Sequence, residues 1–136
     1  MPLIYRAMTR DGEKPRIGPS ARTLGVRPSV DITPDENGLV MPRTGGMSVA
    51  PSWRQLPTHR IPPRLLPIAP FATGSDDDAC WCMGSGEFVD SPVTDSLDLR
   101  REKSDHGLVE PSRTMELHDF QAALAGTRDL WRIDET

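Results

Sequence analysis

The sequence contains little cysteine and no long apolar run, and these absences exclude several kinds of protein. Its two cysteines, Cys80 and Cys82, are too few for a zinc site. A disulfide between positions i and i+2 would be strained, so we expect two reduced structural thiols. No run of eighteen apolar residues is present, so no membrane span is predicted. The first sixteen residues turn polar after eight, unlike a secretory signal peptide, so none is expected.

Two common motifs are missing from the glycine-containing segment "PRTGGMSV", residues 42–49. A phosphate-binding P-loop would end in Gly-Lys followed by Ser or Thr, and a nucleophile elbow would have the form Gly-x-Ser-x-Gly. The segment instead predicts a strand that begins after a glycine turn, with Ser48 on the strand. The glycines then serve either a structural β-turn or the close approach of a ligand.

The composition limits the size of the core and the length of the elements. A chain of 136 residues with 36% hydrophobic content favours one domain, residues 1–136, with a modest core. Fourteen prolines and eleven glycines predict long loops. Six prolines fall within 51–70 and exclude a central strand or a helix interior there. This segment is predicted to be an ordered extended loop or lid that packs down through its apolar residues, or else a polyproline linker.

The net charge of −4 conceals an uneven distribution along the chain. Residues 1–70 hold ten Lys and Arg against five Asp and Glu, a net +5, whereas residues 71–136 hold six against fifteen, a net −9. A basic half is typical of a site for anionic groups such as phosphates. The alternative is that the two halves pack together and their charges offset each other.

Alternation of apolar and polar residues, bounded by turn residues, predicts several short strands. On the first strand, Ile4, Arg6 and Met8 would share one face, and Tyr5 and Ala7 the other. The predicted strands are 3–8, 39–41, 79–83, 96–102 and 106–111, and the last two form a hairpin.

One helix is predicted near the end of the chain, starting at Glu116 with Thr114 as its cap. A single helical turn is also predicted at 20–25, capped by Ser20. The order of elements, strands with long loops followed by a docked C-terminal helix, favours an α+β fold. The apolar face of the helix would carry Leu117, Phe120, Leu124 and Trp131.

Four stretches together resemble one toxin family. "LIYRAM", "GLVMPRTGGMSV", "HGLVEPSRTM" and a helix ending in "TRDLW" are similar in order to the small ADP-ribosyltransferase-fold toxins of the type VI secretion exported effector two family. The resemblance implies split mixed β-sheets that bind NAD in a cleft between them. It implies that Arg6 and Ser48 hold the dinucleotide, Arg6 by binding the pyrophosphate bidentately. The remaining implied cofactor contacts are Tyr5, Thr44, Gly45 and Gly46.

The third catalytic position is where the sequence departs from the wider superfamily, which has a Glu at the start of a later strand. Here that strand begins with His106, and Glu110 lies four residues on, about 13 Å away at about 3.3 Å per residue. Position favours His106 and chemical type favours Glu110; of the two we favour His106, because the resemblance to the toxin family implies a His there. A neutral imidazole could bond a ribose hydroxyl but would not supply a fixed negative charge.

The resemblance implies an NAD-dependent toxin that transfers ADP-ribose to an unidentified macromolecule or hydrolyses NAD. It implies a cognate immunity or antitoxin protein as partner, and action in the cytoplasm of the producing or target cell. One alternative is a catalytically inactive interaction domain of the same fold, suggested by the missing Glu at position 106. The other is an RNA 2′-phosphotransferase-like enzyme, favoured by Arg6 and the basic half but disfavoured by the acidic half.

Overall fold

The computed structural model describes residues 1–136, and these form ten strands, one α-helix and four short 3₁₀ helices. The helix α1 spans Leu117–Ala125, and the 3₁₀ helices span Trp53–Gln55, Thr58–Arg60, Pro63–Leu65 and Arg128–Leu130. The predicted α+β class is confirmed: the chain is mostly β-sheet with one C-terminal helix. The strands are β1 (Ile4–Asp11), β2 (Lys14–Pro15), β3 (Leu39–Val40), β4 (Met47–Val49), β5 (Asp78–Met83), β6 (Ser91–Thr94), β7 (Leu97–Lys103), β8 (His106–Pro111), β9 (Met115–Glu116) and β10 (Arg132–Ile133).

The strands form two four-stranded sheets and a small third one. The first sheet has the order β10-β5-β1-β2, the second β4-β8-β7-β6, and β3 pairs with β9. All of these pairs are antiparallel. The two larger sheets meet at one bridge, where Tyr5 and Ala50 exchange backbone hydrogen bonds of 2.8 and 2.9 Å. This bridge places β1 of the first sheet beside β4 of the second, and the two strands are in contact.

The paired strands β1 and β5 separate two apolar cores. Ile4, Met8 and Trp81 point into the larger core, and Tyr5 and Cys80 into the smaller one. The predicted alternation on β1 is therefore confirmed, although the strand runs three residues further than expected, to Asp11. Since each face of this pair is covered, β5 is buried along its whole length.

The two cysteines are free and buried in the smaller core, as predicted. Burial, with the nearby charge of Glu135, raises the pKa of the Cys80 thiol to about 12, and burial also raises the pKa of Cys82. Because the thiolate is the reactive form, we expect neither thiol to react with a disulfide reagent at pH 8 in the folded protein. Both should react once guanidinium unfolds it. A fast-reacting thiol before unfolding would contradict this placement.

The predicted helix begins one residue late and ends early, at Ala125 rather than near Trp131. Gly126 follows it, and the Thr127 hydroxyl donates to the Leu124 carbonyl at 2.7 Å, which satisfies a carbonyl at the helix end. Trp131 is still buried, but it reaches the core from the segment after a 3₁₀ turn. The predicted cap at Thr114 is wrong, because Glu116 occupies the cap position.

Two loop predictions have mixed outcomes. The helical turn at 20–25 is wrong: this stretch forms turns, and Leu24 instead makes an isolated bridge to Ile17. The proline-rich segment 51–70 packs down through Trp53 and Ile61, as expected, and forms three consecutive 3₁₀ helices. Leu66 and Ile68 do not take part, since they remain 48% and 60% exposed.

No helix in the structure is both long and apolar enough to cross a bilayer.

Candidate functional site

A cavity of about 390 Å³ lies beside the bridge that joins the two large sheets. Its walls come from β1, from β4 and the residues after it, from the turn between β7 and β8, and from the 3₁₀ segment 55–60. This volume is within the range of about 300–1,000 Å³ that small-molecule sites occupy. Arg6, Ser48 and His106, which the resemblance groups together, all line it.

The Arg6 side chain is almost completely buried at the base of this cavity. Its Nε donates to the Thr23 carbonyl at 3.1 Å, one terminal nitrogen donates to the Ser48 carbonyl at 2.9 Å, and the other donates to Thr23 and Ser20 at 3.0 and 3.2 Å. Burial lowers the pKa of Arg6 to about 10, so the guanidinium stays charged at neutral pH. Arg6 therefore ties the loop at 20–25 to strand β4.

Ser48 presents its side chain to the cavity because of the alternation on β4. Met47 and Val49 are buried in that strand, and Ser48 between them is exposed. Its carbonyl accepts the Arg6 hydrogen bond, while no protein group bonds its hydroxyl. The hydroxyl is thus free for a ligand, and removing it would leave the Arg6 contact in place.

His106 begins β8 and lines the cavity from the β7–β8 turn. Its Nδ1 lies 2.9 Å from a carboxylate oxygen of Glu102, at the end of β7. When Nδ1 carries the proton of a neutral imidazole and donates it to this carboxylate, Nε2 is left with a lone pair. Glu102 was not a candidate from the sequence, and its closeness depends on the irregular register of the hairpin near Arg101 and Lys103.

Glu110, the other candidate for the third position, does not line the cavity. It is buried, and one of its oxygens accepts from the Arg43 backbone at 3.1 Å and from the Arg100 Nε at 2.9 Å. Arg43 has a φ of +67°, in the left-handed region, so this carboxylate holds a strained turn in place. Of the two candidates, only His106 has access to a ligand in the cavity.

The remaining predicted contacts also lie outside the lining. Tyr5 points to the opposite face of β1, where its hydroxyl donates to Asp134 at 2.6 Å. The Thr44 hydroxyl donates to the Met41 carbonyl at 2.6 Å within its own turn. Gly45 and Gly46 lie against neighbouring backbone: Gly45 bridges Ile32, and the Gly46 N–H donates to the Asp31 carbonyl at 3.0 Å. A role for these four residues in binding NAD stays a prediction.

Five further charged residues and a second histidine also line the cavity: Arg27, Asp31, Arg60, Lys103, Asp105 and His59. Arg27 and Asp31 form an ion pair of 2.8 Å, and a second hydrogen bond of 3.1 Å joins the Arg27 Nε to the same carboxylate. Burial raises the pKa of Asp31, but the bonds and charge of Arg27 outweigh it, so the pKa lies below its ordinary value. Arg60 and His59 come from the second 3₁₀ helix. The sequence predicted only that the segment 51–70, which contains both of these residues, could form a lid.

The uneven charge distribution has two consequences in the structure. Ion pairs join bases of the basic half to acids of the acidic half, as in Arg22–Asp78 and Arg64–Glu135, so part of the excess charge is offset by packing. The cavity is nevertheless basic: four Lys and Arg side chains line it against two Asp. Its three arginines all come from the basic half.

A family model described as Tse2 ADP-ribosyltransferase toxin matches residues 4–131 of the chain. The match covers both large sheets up to Trp131, and with them every residue that lines the cavity. Among curated proteins and among solved structures, no match is found.

Proposed function

We propose that this chain, which belongs to the Tse2 ADP-ribosyltransferase toxin family, cleaves NAD in the cavity beside the sheet junction. The bond between the nicotinamide nitrogen and C1′ of the ribose breaks, and nicotinamide leaves with the bonding electrons. A nucleophile on a macromolecule, or water, bonds to C1′ and loses its proton. The observation that carries the proposal is that Arg6, Ser48 and His106, from three separate stretches of sequence, line one basic cavity.

The charge of the cavity supports a dinucleotide as the ligand. The chain is acidic overall, with a net charge of −4, yet this cavity has an excess of positive side chains. The two phosphates of NAD carry negative charge and would be attracted to such a site. The Ser48 hydroxyl is free to bond a ribose hydroxyl.

His106 and Glu102 together could replace the carboxylate that the superfamily has at the third catalytic position. Cleavage develops positive charge on the ribose, and a superfamily Glu would stabilise it through a ribose hydroxyl. In the tautomer whose Nδ1 proton is donated to Glu102, the Nε2 of His106 can accept a bond from that hydroxyl. The negative charge of Glu102 would then act on the ribose through the imidazole ring. Glu102 is a positioning residue in this scheme, because it does not itself line the cavity.

Release of nicotinamide from NAD by purified protein tests the proposal. We expect Ser48→Ala and His106→Ala each to lower the rate by about 100-fold or more, the usual effect of removing a group that acts in the transition state. His118→Ala is the matched control, because His118 is an exposed histidine on α1. The rate of the control variant should equal that of wild type. The assignment would be refuted if His106→Ala and His118→Ala lowered the rate equally. It would also be refuted if neither Ser48→Ala nor His106→Ala lowered the rate.

A second candidate function is a binding domain without turnover. One observation favours it: position 106 carries an imidazole where the superfamily has a carboxylate. In that case the wild-type protein would bind NAD but release no nicotinamide during long incubation. The same assay, combined with a binding measurement, therefore distinguishes the two candidates.

Membership of a toxin family supports two further parts of the proposal. The chain would be neutralised by a cognate immunity or antitoxin protein, and it would act in the cytoplasm, where NAD is available.

A further inference from the structure

We propose that Arg60, and not Arg6, is the residue that anchors the pyrophosphate of NAD in the cavity. The inference rests on the proposed function, since it concerns the same cavity and the same ligand. It assigns the main phosphate contact to the second 3₁₀ helix, Thr58–Arg60, in the proline-rich segment.

The hydrogen bonds of Arg6 leave it almost no capacity for a phosphate. A guanidinium has five N–H groups. In Arg6 they bond the carbonyls of Ser20, Thr23 and Ser48 in four contacts of 2.9 to 3.2 Å. At most one N–H remains, whereas a bidentate phosphate contact needs two parallel ones. Arg6 could bind a phosphate in that way only by releasing a buried carbonyl.

Arg27, the second arginine of the cavity, is also engaged. Its Nε and one terminal nitrogen bond the two carboxylate oxygens of Asp31 at 3.1 and 2.8 Å. This pair is the fork-to-fork arrangement that a phosphate would otherwise take. The Asp31 carboxylate would moreover repel an anion at this position.

Arg60 is the one arginine of the cavity that bonds nothing else. Its side chain forms no ion pair and no hydrogen bond with the protein, and it is half-buried. Its backbone is fixed: the Arg60 N–H donates to Pro57 at 2.8 Å, and the neighbouring Ile61 is fully buried. An uncompensated guanidinium on a fixed backbone can bind a phosphate without first breaking a bond to the protein.

Arg60 is also close enough to Arg6 for their charges to interact. Burial lowers the pKa of Arg6, the charge of Asp31 opposes this, and the positive charge of Arg60 lowers it further. An anion bound at Arg60 would offset that repulsion. Lys103 lines the cavity as well, but it is exposed, and its ammonium is a more strongly hydrated point charge than a guanidinium.

Binding of ADP-ribose, measured by calorimetry, tests the assignment. ADP-ribose carries the pyrophosphate but no nicotinamide. We expect Arg60→Ala to weaken its binding at least 10-fold, the scale of a hydrogen-bonded charged contact, and to reduce the salt dependence of binding. Arg60→Lys should recover part of the affinity. Arg54→Ala is the matched control, because Arg54 lies over the Trp53 ring outside the cavity lining. It should bind as wild type does.

The outcomes separate this inference from the proposed function. If Arg60→Ala binds ADP-ribose like wild type, or if Arg54→Ala loses as much affinity, the phosphate assignment is wrong while the cavity can still be the site. If wild type binds neither NAD nor ADP-ribose, the proposed function fails and this inference fails with it. Equal melting temperatures of the variants and wild type show that a lost contact, rather than a lost fold, accounts for weaker binding.

Discussion

Replacing Arg6 with alanine is expected to lower the free energy of unfolding by about 3 kcal/mol or more. The change removes the Arg6 donor from the carbonyls of Thr23 and Ser48, while the Ser20 carbonyl keeps the backbone N–H and the hydroxyl of Thr23 as donors. Each buried carbonyl that loses its partner costs about 1–3 kcal/mol. The free energy of unfolding of a typical domain is only about 5–15 kcal/mol in total. Loss of Arg6 should therefore remove a large share of the free energy of unfolding.

Urea unfolding followed by circular dichroism measures this effect. Arg6→Lys should lose nearly as much stability, because an ammonium has three N–H groups in a different geometry and cannot span all the carbonyls. Arg54→Ala, an exposed arginine, should stay within about 0.5 kcal/mol of wild type. An Arg6→Ala protein with the unfolding midpoint of wild type would show that these bonds contribute nothing to stability.

This expectation changes how an activity assay on Arg6→Ala should be interpreted. A harmless Arg6→Ala variant would be consistent with lost catalysis and equally with lost folding. Ser48→Ala is the cleaner probe, because it deletes a hydroxyl that no protein group bonds and keeps the carbonyl that Arg6 contacts. Comparing the two variants in stability and in nicotinamide release separates the structural role from the chemical one.

The second large effect is expected at Gly46, where alanine should disrupt the junction of β4 and β8. An added Cβ would lie 2.4 Å from the Val109 carbonyl oxygen, which is backbone of the neighbouring strand. Neither strand can move away without breaking the pairing of Met47 with Val109. Overpacking of this kind typically lowers the free energy of unfolding by about 1–3 kcal/mol, and by more where only backbone atoms can move to relieve the clash. Ser48, two residues along, would be displaced as well.

Gly126→Ala provides a control with the opposite expectation. Gly126 has a φ of −63°, which alanine adopts freely, and it follows the last residue of α1. Its new Cβ would meet only the Ala122 and Ala123 carbonyls at 3.3 and 3.4 Å. We expect a change within about 1 kcal/mol, which can be stabilising. Thermal unfolding of the two variants should differ strongly, and similar melting temperatures would contradict the role assigned to Gly46.

The double glycine has a structural explanation that the sequence left open. Gly45 has a φ of +128°, and its added Cβ would lie 2.2 Å from the Asp31 carbonyl. One glycine thus lies against the 31–32 backbone and the other against β8. Both contacts hold cavity walls in place, since the first supports Asp31 and the second sets the position of Ser48. The turn interpretation weighed from the sequence agrees with this packing, whereas ligand access through the glycines stays a prediction.

Much of the fold could be predicted where periodicity is strong. The alternation on β1 and the hairpin of β7 and β8 depend on local apolar patterns and are confirmed. The end of α1 was misplaced because Trp131 continues the apolar face while Gly126 and Thr127 end the hydrogen-bond ladder. Short strands such as β2 and β10 have two residues each and no pattern to detect.

The candidate site likewise has residues that the sequence predicts and residues that it does not. Arg6, Ser48 and His106 lie on strands within recognisable motifs, and all three line the cavity, although their roles in catalysis stay predictions. Arg60 lies among prolines, where no periodicity tells which side chain points inward. Glu102 reaches His106 only through an irregular hairpin register, which depends on the folded geometry.

The β1–β5 pair, with an apolar core on each face, couples those two cores mechanically. Ile4 and Met8 on one side share a backbone with Tyr5 and Ala7 on the other, so a shift that relieves crowding in one core creates a gap in the other. Arg6 is part of the same strand. Packing defects around Cys80 or Cys82, which are remote from the cavity in sequence, would therefore displace Arg6, the arginine that supports the base of the cavity.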